Sequence, residues 1–203
     1  PSHCPSMNPR ELVSHIRSGP TALVLFEPLR FRRRTLFSPC CDLNKFLQAL
    51  RSSETIQDIR CGSHQKLGIT GDEWILLVKT LGRIRDIQHL EFFCAPGARD
   101  FHPFQAIAEA VNSAQSLRKL VVDHQCEVFP RDPLAVIALA NALREHTALQ
   151  EFRWIDFGSR SQVAPVDISL DPVLRALPAC PHLRKVTIRT TCASADATRT
   201  LLQ

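Results

Sequence analysis

The cysteine and histidine residues that lie closest together in the sequence are the first candidates for chemistry. Cys61 precedes His64 by three residues, and His124 precedes Cys126 by two. A thiol beside an imidazole can form a thiolate nucleophile, and two such pairs together supply the four ligands of a zinc site. Both pairs lie at the ends of predicted strands or in return loops, on different units of the chain. Cys94 lies between them without a matching histidine beside it, and we favour buried structural thiols over a metal site.

The spacing of all the cysteines favours reduced thiols. Eight occur, at positions 4, 40, 41, 61, 94, 126, 180 and 192, and no C-x-x-C pair is present. A zinc ribbon or a thioredoxin-like site requires that pair, and a small secreted scaffold has denser cysteines between turns. We therefore expect an intracellular protein of the cytoplasm or nucleus that holds no metal and no cofactor.

The common catalytic motifs are missing from the sequence. It contains no G-x-x-x-x-G-K-[ST] loop, no G-x-G-x-x-G turn, no H-E-x-x-H helix and no G-x-S-x-G elbow. Its seven glycines are too scattered to cradle a phosphate, and its carboxylates are not paired for acid–base work. No run of eighteen apolar residues is present, so a membrane-spanning helix is not expected. We predict that the chain is not an enzyme.

The positive charge of the 203-residue chain is concentrated near its beginning. The formal net charge is +5, and residues 1–53 hold eight Lys or Arg against three Asp or Glu, which is the whole excess. The densest cluster comprises Arg30, Arg32, Arg33 and Arg34. Such a cluster can bind RNA, an acidic protein or a membrane surface, although a solvated face is the simpler explanation. The remaining residues are neutral overall, which argues against a basic nucleic-acid-binding domain.

A short apolar pattern, apolar-x-x-apolar-x-apolar, recurs along the chain. Its five copies are Ile56–Cys61, Leu90–Ala95, Leu117–Val122, Leu149–Trp154 and Leu183–Ile188. The first residues of successive copies are 34, 27, 32 and 34 positions apart, and a degenerate copy begins at Leu23, 33 residues before Ile56. The pattern therefore predicts about six repeats, each with one strand.

A helical segment precedes each copy. Apolar residues spaced three and four apart give each segment one buried stripe. The segments begin near Asp42, Thr70, Pro103, Asp132 and Asp171. Thr70-x-x-Glu73 has the form of a capping box. Asp132 and Asp171 each precede a proline, where the carboxylate can accept the free amides of the first turn and proline needs no acceptor.

The unit of a helix, a short turn, a strand and a return loop predicts an α/β solenoid. Its parallel sheet would lie on the concave side and its helices on the convex side, because stacked units share one core. A doubly wound sheet is the alternative, and the recurring strand pattern favours the solenoid. We expect a single repeat domain over residues 1–203, with a basic, degenerate repeat in 1–53, regular repeats in 54–190, and a further helix or cap beginning in 191–203.

These units resemble leucine-rich repeats of the ribonuclease-inhibitor-like subclass over about residues 10–190. In that family an Asn or Cys usually follows each strand. The corresponding residues here are His64, Ala98, Gln125, Phe157 and Thr191. This departure implies irregular turns and a divergent relative. The resemblance implies non-catalytic protein binding on the concave sheet. We therefore expect an interaction scaffold, or a subunit of a larger assembly, that binds through the concave strand face or through exposed repeat ends.

The candidate binding residues are the strand residues that alternate with the apolar positions. They are Arg60, Phe92, Arg118, Lys119, Glu151, Arg153, Arg184 and Lys185. We expect Phe92 to be an exposed aromatic hot spot among charges, whereas Trp74 and Trp154 fall at core positions. Ordinary solvated residues with cross-strand ion pairs are the alternative for the charged set. A second hypothesis is binding of RNA or an acidic surface by the Arg30–Arg34 cluster and these arginines, with an affinity that falls steeply with salt.

Overall fold

A computed structural model describes residues 9–25, 41–94, 103–124, 133–156 and 169–190, together with Ser194 and Asp196. The helices in these ranges are α1 (Pro9–Arg17), α2 (Cys41–Arg51), α3 (His64–Leu67), α4 (Gly71–Leu81), α5 (Pro103–Ser113), α6 (Pro133–Glu145) and α7 (Asp171–Ala176). The strands are β1 (Ala22–Leu25), β2 (Asp58–Cys61), β3 (His89–Cys94), β4 (Lys119–His124), β5 (Glu151–Asp156) and β6 (Lys185–Arg189). The Arg30–Arg34 cluster and Cys126 lie outside the described residues.

The six described strands form one sheet in the order in which they occur along the chain, β1 to β6. Every neighbouring pair is parallel. A doubly wound sheet reverses its strand order at a switch point, and the described strands show no such reversal. The structure therefore confirms the predicted α/β class and the predicted adjacency of successive strands.

A repeated hydrogen-bond arrangement at the beginning of the strands sets their register. The carbonyl oxygen of Gln57 accepts hydrogen bonds from the amides of Gln88 and His89 at 2.8 and 2.9 Å. The carbonyl oxygens of Gln88, Arg118 and Gln150 each accept two consecutive amides of the next unit in the same way. These four residues therefore occupy the same position in successive repeats. Since Ile56 is the first apolar residue of its repeat and precedes Gln57, the residue before each of the other three begins its repeat as well.

The register of β3 differs from the sequence prediction. Leu90 pairs with Ile59, so it occupies the second apolar position of its repeat, and the repeat begins at Ile87. The prediction that Phe92 is an exposed hot spot is wrong, because the three-residue shift turns its side chain into the core, where it is 0% exposed. Phe93 takes the outward position and is half-buried.

Starting the third strand's repeat at Ile87 also makes the lengths of the repeats more uniform. The first apolar positions are residues 56, 87, 117, 149 and 183, which are 31, 30, 32 and 34 residues apart. Leu23 pairs with Ile59 as well, so the degenerate first copy is shifted in the same sense. Cys94 is a core residue, as the preference for buried structural thiols predicts. Val121 lies on the outward face of β4, but only 3% of its surface is exposed.

The described inward side chains of β1 to β5 and the apolar stripes of the helices form one core, and the partly buried Val186 and Ile188 of β6 pack against it. Trp74 on α4 is fully buried, and its indole Nε1 donates a hydrogen bond of 2.8 Å to the carbonyl oxygen of Gly62. Trp154 on β5 is also fully buried and stacks on Phe104 of α5 with ring centroids 5.3 Å apart. The predicted core positions of both tryptophans are confirmed. The outward strand residues do not join this core, so the described helices cover one face of the sheet.

Side chains at the helix beginnings follow the predictions in one case and depart from them in another. The capping box of α4 is present: Thr70 Oγ1 accepts from the Glu73 amide at 3.2 Å, and the Glu73 carboxylate accepts from the Thr70 amide at 2.7 Å. At α7 the prediction is wrong. The Asp171 carboxylate accepts from the amide and hydroxyl of Ser194, at 2.9 and 2.6 Å, and not from the first turn of its own helix.

The short helix α3 lies where a return loop was expected. Ser63 begins it, with its hydroxyl accepting from the Lys66 amide at 3.3 Å. Gly68 ends it in the left-handed conformation, with φ of 67°, which favours glycine. Four residues are too few to show a helical hydrophobic period, so this element had no periodic signal in the sequence.

Helices α4 and α5 approach each other closely at Gly82. A β-carbon on Gly82 would lie 2.4 Å from both the Cα and the carbonyl oxygen of Ala110. Glycine is therefore required here by the space between two backbones, since Gly82 has an ordinary φ of −63°.

The corrected register predicts different effects of removing two adjacent rings. Phe92→Ala should lower the free energy of unfolding by about 3–5 kcal/mol, because it leaves a cavity in the core. Phe93→Ala, its matched control on the outward face, should lower it by less than about 2 kcal/mol. Urea unfolding monitored by circular dichroism measures both values. If Phe93→Ala lowered the free energy of unfolding more than Phe92→Ala, the register observed for β3 would be wrong and the repeat would begin at Leu90.

The helix contact predicts that Gly82→Ala destabilises the protein although alanine is the better helix former by about 1 kcal/mol. The added methyl group would force two helices apart, and overpacking of this kind costs about 1–3 kcal/mol. Arg83→Ala, at the adjacent exposed position, serves as the control and should leave the urea midpoint nearly unchanged. Stabilisation by Gly82→Ala would show that the close approach is absent in solution.

Candidate functional site

The outward side chains of β2 to β6 form a surface that we call the sheet face. It comprises Asp58, Arg60, His89, Glu91, Phe93, Lys119, Val121, Asp123, Glu151, Arg153, Ile155, Lys185, Thr187 and Arg189. Strand geometry places these residues on the side opposite the core, because successive side chains point to opposite faces. In β3 the half-buried and buried residues alternate strictly, as this geometry requires.

One row of paired residues crosses the sheet face from β2 to β6. Along it, Asp58, His89, Lys119, Glu151 and Lys185 are successive register partners. His89 Nδ1 lies 3.0 Å from Asp58 Oδ1. The Glu151 carboxylate lies 3.0 Å from Lys185 Nζ and 3.9 Å from Lys119 Nζ. This row therefore shows the cross-strand ion pairs that were the alternative interpretation of the charged positions.

These contacts favour the ionised form of two carboxyl groups. The close polar contact with His89 holds the pKa of Asp58 below its usual value, against the opposing effect of burial. Nearby positive charges act in the same direction as this contact. Burial by itself would raise the pKa of Glu151, but the hydrogen bond from Lys185 and the charge of Lys119 together lower it. Both groups are thus carboxylates at neutral pH. Glu151 is paired with Lys119 and Lys185, and Asp58 lies against His89.

A second row contains Arg60, Glu91, Val121, Arg153 and Thr187. Arg60 Nε lies 3.4 Å from a Glu91 carboxylate oxygen, so this arginine has an acidic partner on the next strand. Arg153 does not: its register partners are Val121 and Thr187. Its Nε is buried, and within the part of the chain that the structure describes this atom has no hydrogen-bond acceptor.

The third row lies nearest the carboxyl ends of the strands and contains Phe93, Asp123, Ile155 and Arg189. Lys66 of α3 places its ammonium group 5.8 Å from the centroid of the Phe93 ring. Ile155 is 6% exposed although it is not part of the core. The sheet face therefore combines paired charges with a half-buried aromatic ring and two well-shielded aliphatic side chains.

The structure brings together most of the residues that were predicted to bind a partner. Five of them lie on the sheet face: Arg60, Lys119, Glu151, Arg153 and Lys185. Arg118 and Arg184 are exposed and directly precede β4 and β6. Phe92 does not belong to the set. His89 was missed because the shifted frame placed it outside a strand, although polar residues at 89 and 91 alternate with Leu90 and Phe92.

The structure gives no support for a reactive centre at Cys61 and His64. Burial raises the pKa of the Cys61 thiol to about 12, so it is protonated at neutral pH and cannot act as a nucleophile. Burial also lowers the pKa of His64. Among the described ranges, no group of three or more His, Cys, Asp or Glu side chains has the geometry of a metal site. Cys126 and the side chain of His124 lie outside the described residues.

None of the helices in the described ranges combines the length and the apolar character that crossing a bilayer requires.

Comparisons with known proteins give likenesses among solved structures only. No family model matches the chain. No curated protein matches it either. Among solved structures, the C-terminal domain of tropomodulin from Caenorhabditis elegans is similar at 14% sequence identity and a TM-score of 0.45. The alignment covers 85% of this chain and 93% of the tropomodulin domain.

The ion pairs of Glu151 predict a specific pH dependence. Its folded pKa is depressed, so it stabilises the fold above the unfolded pKa, and this contribution is lost as the pH falls through the folded pKa. An NMR titration of the side-chain carboxyl should show an inflection below that of an ordinary glutamate. In Lys185→Met the inflection should move upward, because the hydrogen-bonded cation is gone. An unchanged inflection in Lys185→Met would contradict the pairing.

Proposed function

We propose that this chain is a non-catalytic protein-interaction module of the leucine-rich-repeat type, with about six irregular repeats in a single domain. It binds a protein partner through the sheet face, either as a scaffold or as a subunit of a larger assembly of the cytoplasm or nucleus. The concave curvature of the sheet is part of this proposal.

The observation that carries the proposal is the asymmetry of the sheet. The described helices pack against one face only. On that face the described inward side chains of β1 to β5 join the core, and Val186 and Ile188 of β6 pack against it. The other face presents charged, aromatic and aliphatic side chains on strands held in register by backbone hydrogen bonds. A rigid surface of this mixed composition is typical of protein interfaces, where aromatic and arginine side chains contribute most of the affinity.

The ion pairs of the sheet face support binding because they restrain its side chains in advance. Lys119 and Lys185 share the Glu151 carboxylate, and Arg60 is held by Glu91. Ordering a free lysine or arginine on binding costs about 0.5–1.5 kcal/mol, and a side chain that is already restrained loses less entropy. Each exposed pair contributes little to the stability of the fold itself.

Non-enzymatic function is part of the same proposal. The thiols whose side chains the structure describes, those of Cys61, Cys94 and Cys180, are all buried. Burial raises the pKa of Cys180 as it does that of Cys61. On the sheet face, the carboxyl groups of Asp58 and Glu151 have lowered pKa values, whereas a general acid needs a raised one.

Site-specific photo-cross-linking of the full chain in native extract tests the proposed face. A photoreactive amino acid at position 119 or 187, on the sheet face, should capture one protein that the same probe at exposed Arg144 of α6 does not capture. The product should survive nuclease treatment. Loss of the product after nuclease treatment would favour the RNA hypothesis, and capture only from position 144 would place the interface on the helices.

Charge reversal then measures the contribution of the face to affinity. Arg118→Glu with Arg153→Glu should weaken binding of the captured protein at least about tenfold, which corresponds to about 1.4 kcal/mol. Arg85→Glu with Arg144→Glu makes the same change in net charge at exposed positions away from the sheet face and should have little effect. Urea unfolding of both double variants shows whether the fold is retained. Equal affinities of the two variants would contradict docking on the sheet face.

A further inference from the structure

Charge is unevenly distributed over the sheet face. The outward residues of β2 and β3 include the two carboxylates Asp58 and Glu91 and the single permanent cation Arg60. The outward residues of β4 to β6 hold four cations against two carboxylates. The cations are Lys119, Arg153, Lys185 and Arg189, and the carboxylates are Asp123 and Glu151. Exposed Arg118 and Arg184 directly precede β4 and β6 and add to the same basic half.

Within the described ranges, the arrangement of these charges leaves Arg153 without an ion-pair partner. Glu151, two residues away on the same face of β5, already contacts Lys119 and Lys185. The register partners of Arg153 are aliphatic Val121 on one side and uncharged Thr187 on the other. A buried guanidinium N–H without an acceptor is unfavourable, and native structures normally satisfy such groups.

The surroundings of Arg153 strengthen any interaction with an anion. Val121 and Ile155, its neighbours across and along the strand, are 3% and 6% exposed. Aliphatic neighbours lower the local dielectric, so a charge-assisted hydrogen bond formed there is stronger than one formed in open solvent. Guanidinium also presents a planar fork that matches the two oxygens of a carboxylate.

We infer that the basic half of the sheet face, the outward side of β4 to β6, binds an acidic segment of the partner protein, with one carboxylate of that segment seated on Arg153. This inference rests on the proposed function and adds the chemistry of the partner to it. Lys119 and Lys185 lie on the strands flanking β5, about 4.8 Å to either side, and are placed to receive further carboxylates of a segment that crosses the strands.

An acidic protein segment fits this surface better than a nucleic acid. Asp123 and Glu151 interrupt the basic half, and a phosphodiester chain carries a charge on every unit, so it would meet both carboxylates. Single-stranded nucleic acids are bound by stacking bases on aromatic side chains. Among the outward residues of β4 to β6 that the structure describes there is no aromatic side chain. A protein segment can place carboxylates at Arg153 and neutral or basic residues beside Glu151.

The Arg153 Nε–Hε signal of the full chain in a nitrogen-15 correlation spectrum provides a direct test. The probes are a short acetylated peptide of alternating Asp and Gly residues, its counterpart with Asn in place of Asp, and an oligouridylate of matched charge. At low ionic strength the acidic peptide should shift the Arg153 signal, the Asn peptide should not, and the oligouridylate should shift it less. Arg153→Gln should weaken binding of the acidic peptide at least about tenfold, since a hydrogen bond to a charged group is lost.

Two further variants complete the test. Arg153→Lys keeps the charge without the planar fork and should lie between the wild type and Arg153→Gln. Arg144→Gln, at an exposed position of α6, should bind the acidic peptide normally. Equal binding by Arg153→Gln, no shift of the Arg153 signal at saturating peptide, or stronger binding of the oligouridylate would each overturn the inference. If any of these occurs while cross-links still form from positions 119 and 187, the proposed docking face stands and only the acidic segment is rejected.

Discussion

The pairing of each strand with the next, parallel and in register, is the constraint on which the rest of the structure depends. At the beginning of successive strands one carbonyl oxygen accepts two consecutive amides of the following unit, and this arrangement recurs at Gln57, Gln88, Arg118 and Gln150. Because strand side chains alternate, the register decides for every residue whether it enters the core or faces outward. The register therefore determines which side chains form the core and which charges are neighbours on the sheet face. It also places Arg153 between Val121 and Thr187.

Much of this architecture follows from the sequence alone. Apolar residues at Leu117, Leu120 and Val122 recur in later units at the same relative positions, and the structure pairs them as the pattern predicts. The failure at β3 has a physical origin. Leu90 and Phe93 are three residues apart, which is the spacing of the first two apolar positions of the pattern. Since Phe92 and Phe93 are equally hydrophobic, composition does not indicate which ring is buried. Backbone hydrogen bonding decides it, and that information is spread over two units of the chain.

The site was predictable to a smaller extent than the fold. The alternation of the strands correctly placed Lys119, Glu151, Arg153 and Lys185 on one surface. Which of these charges are neutralised depends on cross-strand neighbours that are about thirty residues apart in the sequence. Glu151 reaches both lysines, and Arg153 meets an aliphatic side chain and a hydroxyl. Both sets of neighbours depend on the register of the strands. The sequence alone therefore does not indicate which cations of the sheet face are paired with a carboxylate.

The register itself can be measured directly in solution. Backbone NOEs between neighbouring strands, recorded on uniformly labelled protein, report which residues lie opposite each other. The account predicts NOEs that connect the neighbourhood of Ile59 to Leu90, and that of Leu90 to Leu120. NOEs that connect Ile59 to Phe93 instead would place β3 three residues out of register, return Phe92 to the outward side, and contradict the arrangement of charges on which the proposed function is built.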